Sequence, residues 1–246
     1  MAIEILEWDS RFFGYPVGSV TFPSPPAWEL EILPILNQAR QFGLRLLYLA
    51  TPPLTDNLRG TLQRAGVKPV GIKFEYSKTI NGVAPFATEV PVSPCYESSM
   101  ELEALALQSG SHSRFHVDPG FQNREFERLY GEWLVCSLRG DGGKRVFIAA
   151  TINAPRGLIT VEPGQIVRIG LLVVDPRWRG QGLGHRLVAE AEHFCLQNKY
   201  LQLQVATQAE NHDACRFYES CGFSMINQTE YHHAWLPLFE SKGTPP

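Results

Sequence analysis

Hydrophobic residues in the C-terminal part of the chain change repeatedly between the spacing of strands and the spacing of helices. An apolar run over 166–175 predicts a buried strand, and a helical stripe follows it after a glycine-rich segment. Apolar runs over 201–206 and 231–236 predict two more strands. This alternation predicts an α/β (α+β) protein with a central sheet flanked by helices. The helical stripe consists of Leu187, Val188, Ala191, Phe194 and Cys195.

The segment before this region shows the same alternation, together with turn and cap signals. Residues 86–92 predict a strand, and Ser98 forms a capping box with Glu101 for a helix that ends at Gly110. An aromatic helix and a hairpin follow. The helix is indicated by Phe126, Leu129, Tyr130, Trp133 and Leu134, and the hairpin by strands over 145–152 and 158–161 around the turn 155–157.

The first third of the chain resembles the last third. Thr51 and Gly66 lie 156 residues before Thr207 and Gly222, and similar helix–strand patterns surround each pair. A constant offset of this kind indicates a decayed internal copy. The alternative is that two unrelated helix–strand–helix units share these residues.

A linker is predicted over 77–85, where polar residues, glycine and proline interrupt the pattern. The linker divides the chain into two predicted domains. Residues 1–80 form a truncated, non-catalytic domain, and residues 86–240 form the catalytic one.

Composition narrows the class of protein. The chain has 246 residues, 44% of them hydrophobic and 19% charged, as in globular proteins. A net charge of −3 argues against nucleic acid or an anionic membrane as a partner. No apolar run approaches the roughly 20 residues that span a bilayer. The N-terminus lacks the basic start of a signal peptide, and five scattered cysteines favour reduced thiols, so a cytoplasmic location is expected. Histidine and cysteine spacings give no metal site.

Residues 177–186 carry the clearest chemical signal. They read Arg-Trp-Arg-Gly-Gln-Gly-Leu-Gly-His-Arg, between a predicted strand and a predicted helix. Backbone N–H groups at a helix N-terminus favour an anion, and glycine lets a phosphate approach the backbone closely. The segment lacks the Gly-Lys-Ser/Thr ending of a Walker A loop and the spacing of the dinucleotide fingerprint. A different phosphate-bearing ligand is therefore expected.

This loop resembles the acyl-CoA pyrophosphate loop of the GNAT N-acetyltransferase superfamily. A second segment supports the resemblance. Residues 211–223 match the pattern Asn-x-x-Ala-x-x-Phe-Tyr-x-x-x-Gly-Phe that is typical of this family. The resemblance covers roughly 86–236 and implies a GNAT fold with acetyl-CoA as co-substrate and a primary amine as acceptor. The N-terminal copy then implies a second, smaller GNAT-like domain.

The resemblance also implies a role for each matching position. Tyr218 would be the general acid that protonates the departing CoA thiolate, because a phenol stays protonated near neutral pH. Strand residues before the loop would hold the pantetheine arm and polarise the thioester carbonyl. The cofactor-binding set is Leu172, Val173, Val174, Arg179, Gly180, Gln181, Gly182, Leu183, Gly184, His185 and Asn211.

The acceptor is less well defined. Several short segments, among them 7–14 and 113–115, are similar to the TDP-fucosamine acetyltransferase family, which acetylates the amino group of a nucleotide-linked deoxy sugar. That similarity makes Arg114 a candidate for a nucleotide diphosphate, because a guanidinium binds phosphate in a bidentate manner. Glu75, His112 and His116 are candidates for the base that deprotonates the amine.

Two alternatives stay open at this stage. The same chemistry could act on another small amine or a protein N-terminus. The chain could instead be an acyl-CoA-binding module without turnover. The sequence leaves the oligomeric state open and allows a homodimer.

Overall fold

The computed structural model describes residues 2–22, 31–82 and 90–237. The chain divides into two compact units. Unit 1 contains residues 1–73 and 228–246, and unit 2 contains residues 74–227. Within the described ranges, no helix is both long enough and apolar enough to cross a membrane.

Unit 1 is a small sheet with helices. The parallel strands β2 and β3 pair residue by residue, and the second half of the final strand β10 runs antiparallel to β3 from Glu230–Thr51 to Trp235–Leu46. A buried cluster of aliphatic side chains packs two helices, α2 and α3, on this sheet. The elements are β1 (Glu4–Ile5), α1 (Glu7–Phe13), β2 (Val17–Thr21), α2 (Ile32–Gln41), β3 (Leu46–Thr51), α3 (Asp56–Arg64), β4 (Lys68–Thr79) and β10 (Ser224–Trp235).

Unit 2 begins within β4 and contains the predicted catalytic region. Its strands lie in the order β4-β9-β8-β7-β6-β5. Strands β5 to β8 are antiparallel, and β8 runs parallel to β9. The elements are β5 (Val92–Cys95), α4 (Met100–Ser109), α5 (Arg114–Val117), α6 (Glu125–Arg139), β6 (Arg145–Thr151), β7 (Ala154–Glu162), β8 (Val167–Val174), α7 (Leu183–Gln197), β9 (Gln202–Gln208) and α8 (His212–Ser220).

Two apolar clusters cover opposite sides of this sheet. One contains α7 and α8 residues such as Leu187 and Tyr218, and the other contains α4 and α6 residues such as Leu102 and Leu134. Side chains alternate between the faces of a strand, so β7 supplies Ile159 to the first cluster and Leu158 to the second. The prediction of a mixed central sheet flanked by helices is confirmed.

The internal repeat appears in the secondary structure as well. Helices α3 and α8 span 56–64 and 212–220, and strands β4 and β10 span 68–79 and 224–235, each at the offset of 156 residues. The last strand of each copy contributes to the other unit: residues 228–235 of β10 belong to unit 1, and residues 74–79 of β4 belong to unit 2. Each unit is thus completed by a strand from the other sequence copy.

Several local predictions need correction. The linker predicted over 77–85 is wrong in its first part, because β4 continues to Thr79. Residues 83–89 lie outside the described ranges, so most of the strand predicted over 86–92 cannot be placed, and β5 begins at Val92. The helix cap is Ser99, whose hydroxyl accepts from Leu102 N, and not Ser98.

The hairpin turn predicted over 155–157 is also wrong. Residues 152–153 form the turn that connects β6 and β7. Pro155 lies within β7, opposite Ala150. Ala150 has φ +77° and stands at a register shift. This irregularity accommodates proline inside the strand, and it explains why the turn-like residues 155–157 are not the turn.

Candidate functional site

The strands β8 and β9 separate at the centre of unit 2. Their pairing ends at Ile169–Val205, although β8 continues to Val174 and β9 to Gln208. A cavity of about 590 Å³ lies beside the free end of β8. The glycine loop, the first turns of α7 and α8, and the C-terminal end of α4 complete its wall. The gap between the strands therefore provides room for an extended ligand beside an open backbone edge.

Nearly all of the predicted cofactor-binding residues line this cavity. Residues 172–174, 179–180, 182–185 and 211 do so, as does the predicted acid Tyr218. Gln181 is not among the lining residues. One cavity thus brings together two motifs that are separated in sequence by about thirty residues.

The glycine loop leads directly into helix α7. Gly180 and Gly182 have φ of +74° and +77°, a conformation that L side chains rarely adopt. Gly182 is the N-cap, and the first helical bond joins Arg186 N to Gly182 O. The amides of residues 183–185 therefore precede the helical ladder, and together with the helix dipole they favour an anion. Gly184 packs so closely on Phe217 that an added Cβ would lie 2.9 Å from its ring.

Charged side chains fix the segment between β8 and the loop. Asp175 pairs with the Arg177 guanidinium at 2.6 Å and accepts from Arg177 N at 2.9 Å, and these bonds lower the pKa of its carboxyl to about 2. Arg179 donates from Nε to Val174 O at 3.2 Å. Arg179 also lines the cavity, so its guanidinium is a candidate ligand for a phosphate there.

Helix α8 supplies the other residues of the predicted site. Asn211 caps it by accepting from Ala214 N at 3.2 Å. Tyr218 is only 6% exposed and lies in the apolar cluster, between Tyr76 and Phe223. Burial raises the pKa of its hydroxyl, and the nearby Cys221 and Cys215 add to the effect. The hydroxyl therefore keeps its proton over the physiological pH range.

Three of the residues predicted for the acceptor site, Glu75, Arg114 and His116, are not among those that line this cavity. Glu75 accepts from Asn227 Nδ2 at 2.7 Å, and the His116 ring packs on Phe126 at 4.6 Å. The Arg114 guanidinium lies over the ring of Phe115.

His112 is the base candidate that does line the cavity, and its Nδ1 lies 3.2 Å from Ser111 Oγ. Gln108, Ser109 and Trp178 also line it but were not predicted. The position of Gln108 and Ser109 depends on where α4 packs on the sheet, for which the local sequence carries no signal, whereas Trp178 lies between β8 and the glycine loop.

The comparisons with known proteins agree with this geometry. Residues 106–223 match the model of a family described as the Acetyltransferase (GNAT) family. Among curated proteins, the chain is 24% identical over 131 residues to the spore coat polysaccharide biosynthesis protein SpsD of Bacillus subtilis (strain 168), covering 53% of this chain and 45% of that protein. The chain spans about half the length of the curated relatives it matches.

Solved structures resemble nearly the whole chain. A functionally unknown conserved protein from Staphylococcus epidermidis ATCC 12228 has a TM-score of 0.64 at 12% identity, covering 91% of this chain and 85% of that chain. A GCN5-related N-acetyltransferase from Sphaerobacter thermophilus has a TM-score of 0.57 at 15% identity, covering 94% and 75%. At these identities the likeness shows the fold alone, and the predicted GNAT fold is confirmed.

Proposed function

We propose that this chain transfers the acetyl group of acetyl-CoA to a primary amine, because residues 106–223 match the model of the acetyltransferase (GNAT) family. The observation that carries the proposal is the single cavity in which the glycine loop, the free edge of β8 and Tyr218 meet. A phosphate cradle alone would suit many ligands. A cradle beside an unpaired strand edge and a buried proton donor suits an acyl-CoA and its transfer chemistry.

The donor site has three parts in this proposal. The amides of 183–185, with Arg179, bind the pyrophosphate. The edge of β8 at residues 172–174 binds the pantetheine arm and polarises the thioester carbonyl through a backbone N–H. Asn211 holds the start of α8, so that the helix presents Tyr218 to the sulfur.

The reaction then needs two proton transfers. The neutral amine attacks the thioester carbonyl, and the C–S bond breaks as the tetrahedral intermediate collapses. Tyr218 donates its proton to the departing thiolate, so free CoA leaves as the thiol. The amine loses a proton to a base, for which His112 is the candidate that lines the cavity. Holding the amine and thioester together supplies a further part of the rate.

For the acceptor we propose the amino group of a nucleotide-linked amino-deoxy sugar. The similarity of segments 7–14 and 113–115 to the TDP-fucosamine acetyltransferase family supports it, as does the likeness to a polysaccharide biosynthesis protein. Arg114 is the proposed diphosphate ligand. The alternatives are another small amine, a protein N-terminus, or an acyl-CoA-binding role without turnover.

We also propose that residues 1–80 form a companion domain without chemistry of its own. Leu62 occupies the position of Tyr218 at the repeat offset, and the segment 22–31 contains no glycine where the second copy has its loop. The homodimer and the cytoplasmic location stay predictions from the sequence.

A thiol-release assay with calorimetry tests the function. Acetyl-CoA is titrated into the protein by calorimetry, and free thiol is then followed with a panel of amines. Release with a TDP-linked amino sugar alone supports the proposed acceptor, and release with other amines supports the second candidate. Binding without release supports the binding module. If acetyl-CoA does not bind, the whole proposal is wrong.

A further inference from the structure

The strands β7 and β8 do not pair regularly beside the cavity. Ile159 lies opposite Leu172, whereas Val161 lies opposite Ile169. One residue of β7, Thr160, therefore faces two residues of β8, Gly170 and Leu171. This is a β-bulge, which shifts the alternation of the bulged strand by one residue.

A buried hydroxyl holds the bulge in place. Thr160 is fully buried, and its Oγ1 accepts from Leu171 N at 2.8 Å. The hydroxyl oxygen therefore takes the position that a ladder carbonyl would have. Gly170 completes the arrangement, because a Cβ there would lie 2.7 Å from Thr160 Oγ1 and 2.5 Å from Glu162 Oε1. The bulge depends on one side-chain acceptor and one missing side chain.

The position of the bulge decides which amides face the cavity. Successive N–H groups of a strand point to opposite edges. Leu171 N–H points to β7, where Thr160 accepts it, and Asp175 N–H also points to β7, donating to Arg156 O at 2.8 Å. The N–H groups of Leu172 and Val174 therefore point to the other edge. There the pairing with β9 has already ended at Ile169–Val205, and both residues line the cavity.

We propose that Thr160 is a positioning residue for acetyl transfer, whose hydroxyl fixes the β8 bulge so that the Leu172 N–H points at the acyl carbonyl. This inference rests on the proposed function and assigns the carbonyl-polarising role to one amide. Thr160 itself takes no part in proton or group transfer. Without the Thr160 hydroxyl, the Leu171 N–H loses its partner at the point where the alternation changes phase, although residues 172–174 still pair with β7.

Three substitutions separate positioning from packing. Thr160→Val and Thr160→Ala remove the acceptor, and Thr160→Ser keeps it. The matched control is Thr51→Val in unit 1, where another buried strand hydroxyl bonds to a backbone carbonyl, Glu230 O. Each variant is measured for kcat and KM, for acetyl-CoA affinity by calorimetry, and for fold by circular dichroism. The stretching frequency of an isotope-labelled acetyl carbonyl in bound acetyl-CoA is measured by infrared difference spectroscopy.

For Thr160→Val and Thr160→Ala we expect kcat to fall about 10- to 100-fold. Removing one oxyanion donor outright costs about 100-fold or more, and misdirecting it should cost up to that amount. Acetyl-CoA affinity should change less than about threefold, because the pyrophosphate cradle is untouched. The carbonyl frequency should move toward that of acetyl-CoA in water. Thr160→Ser and Thr51→Val should keep the wild-type frequency and turnover.

Several outcomes would overturn the inference. One is a folded Thr160→Val variant with wild-type turnover and carbonyl frequency. Another is an equal loss in Thr160→Ser and Thr160→Val. If Thr160→Val and Thr160→Ala both fail to fold, Thr160 has a purely structural role, which also contradicts the proposal. All of these results differ from a wild-type protein that neither binds acetyl-CoA nor releases thiol, which would contradict the proposed function itself.

Discussion

The chain contains one helix–strand–helix–strand arrangement twice, once from α2 to β4 and once from α7 to β10. The two copies agree closely in their elements: α3 and α8 have nine residues each, and β4 and β10 have twelve each. Even the residue that ends the second helix is shared, since Gly66 and Gly222 have φ of +79° and +84°. The second helix and the last strand thus keep their lengths, and the turn glycine is kept, in both copies, whereas the first helix has 10 residues in α2 and 15 in α7.

The copies differ at the positions to which we assign chemistry. Tyr218 corresponds to Leu62, and both side chains are buried in the apolar cluster of their unit. Asn211 caps α8 with its side chain, whereas Thr55 makes no side-chain cap bond to α3. The first copy therefore packs in the same arrangement without the polar groups that Asn211 and Tyr218 supply in the second copy. The comparison shows that a leucine is enough to fill this buried position in the fold. Packing alone therefore does not explain why the second copy has a phenol at residue 218.

The largest expected effect tests the tyrosine. Tyr218→Phe keeps the ring and removes the acid, so kcat should fall about 100-fold. Acetyl-CoA affinity should stay within about twofold, because the phosphate cradle lies elsewhere in the cavity. The control in the first copy is Leu62→Met, a substitution of similar volume that should leave kcat unchanged. Turnover and calorimetric affinity are measured for both variants. Unchanged turnover in Tyr218→Phe would show that the proton comes from another group.

The pH dependence of turnover gives a second view of the same hydroxyl. Because burial raises the pKa of Tyr218, the acid form should persist above the pH at which a free phenol ionises, about 10. Turnover should therefore not decline on the alkaline side through loss of this proton below about pH 10. A decline near neutral pH that Tyr218→Phe abolishes would contradict the assignment.

A second prediction concerns the two exchanged strands. Each carries one residue of an ion pair whose glutamate is buried. Glu230 of β10 pairs with Arg59 of α3 at 2.6 Å in unit 1, and Lys78 of β4 pairs with Glu192 of α7 in unit 2. Glu230 also accepts from Leu54 N at 3.0 Å. Removing the cation leaves a buried carboxylate without its cationic partner, which is destabilising.

For Arg59→Met and Lys78→Met we expect a loss of about 2 kcal/mol each, less than for fully buried pairs because both cations are partly exposed. Urea unfolding measures the loss. The two variants should differ in activity, with turnover reduced in Lys78→Met and retained in Arg59→Met under conditions where both are folded. If the two variants have equal turnover, then the activity of unit 2 does not depend on the ion pair that β4 makes with α7.

The third prediction concerns a wall of the cavity that lies outside both copies. His112 lines the cavity, and the neighbouring His116 does not. His112→Gln should lower kcat about tenfold, less than the roughly 100-fold or more that is typical of general-base catalysis, because water can replace an exposed base. His116→Gln is the matched control and should leave kcat unchanged. Added imidazole should restore part of the His112→Gln rate. If imidazole does not restore the rate and kcat falls equally in both variants, His112 has a role in loop structure and not in proton transfer.

The sequence could predict the parts of the molecule that depend on local chemistry. The glycine loop, the Asn211 cap and the strand over 166–175 follow from backbone requirements of single turns, and the structure contains all three. The family match and the fold agree with that interpretation. The constant repeat offset was also visible from a few shared residues.

The parts that depend on distant contacts could not be predicted. Residues 77–79 resemble a linker by composition, yet they belong to a strand because unit 2 uses β4 of the first copy. The bulge at Thr160 has no signal, since threonine is common in strands and its hydroxyl partner is eleven residues away. Glu75 and His116 are acceptor-site candidates by residue type and Arg114 by the resemblance of its segment, but whether each lines the cavity depends on where its element packs.

The smallest expected effect tests the feature that the copies share. Gly66 and Gly222 follow α3 and α8 in the left-handed conformation, where alanine costs about 1 kcal/mol. Space for a Cβ exists at both positions, since nothing lies within 4 Å at Gly66 and only the Lys78 side chain does at Gly222. Gly66→Ala and Gly222→Ala should therefore lose about equal stability in urea unfolding, about 1 kcal/mol each.

Acetyl-CoA affinity should be unchanged in both glycine variants, because neither residue lines the cavity. If Gly222→Ala costs much more than Gly66→Ala, then the helix end in the second copy is held by more than backbone conformation. That result would extend the difference between the copies from Tyr218 to the turn that follows it. Equal losses would confine the difference to the polar groups around the cavity, in keeping with one inherited backbone arrangement that carries chemistry in only one of its two copies.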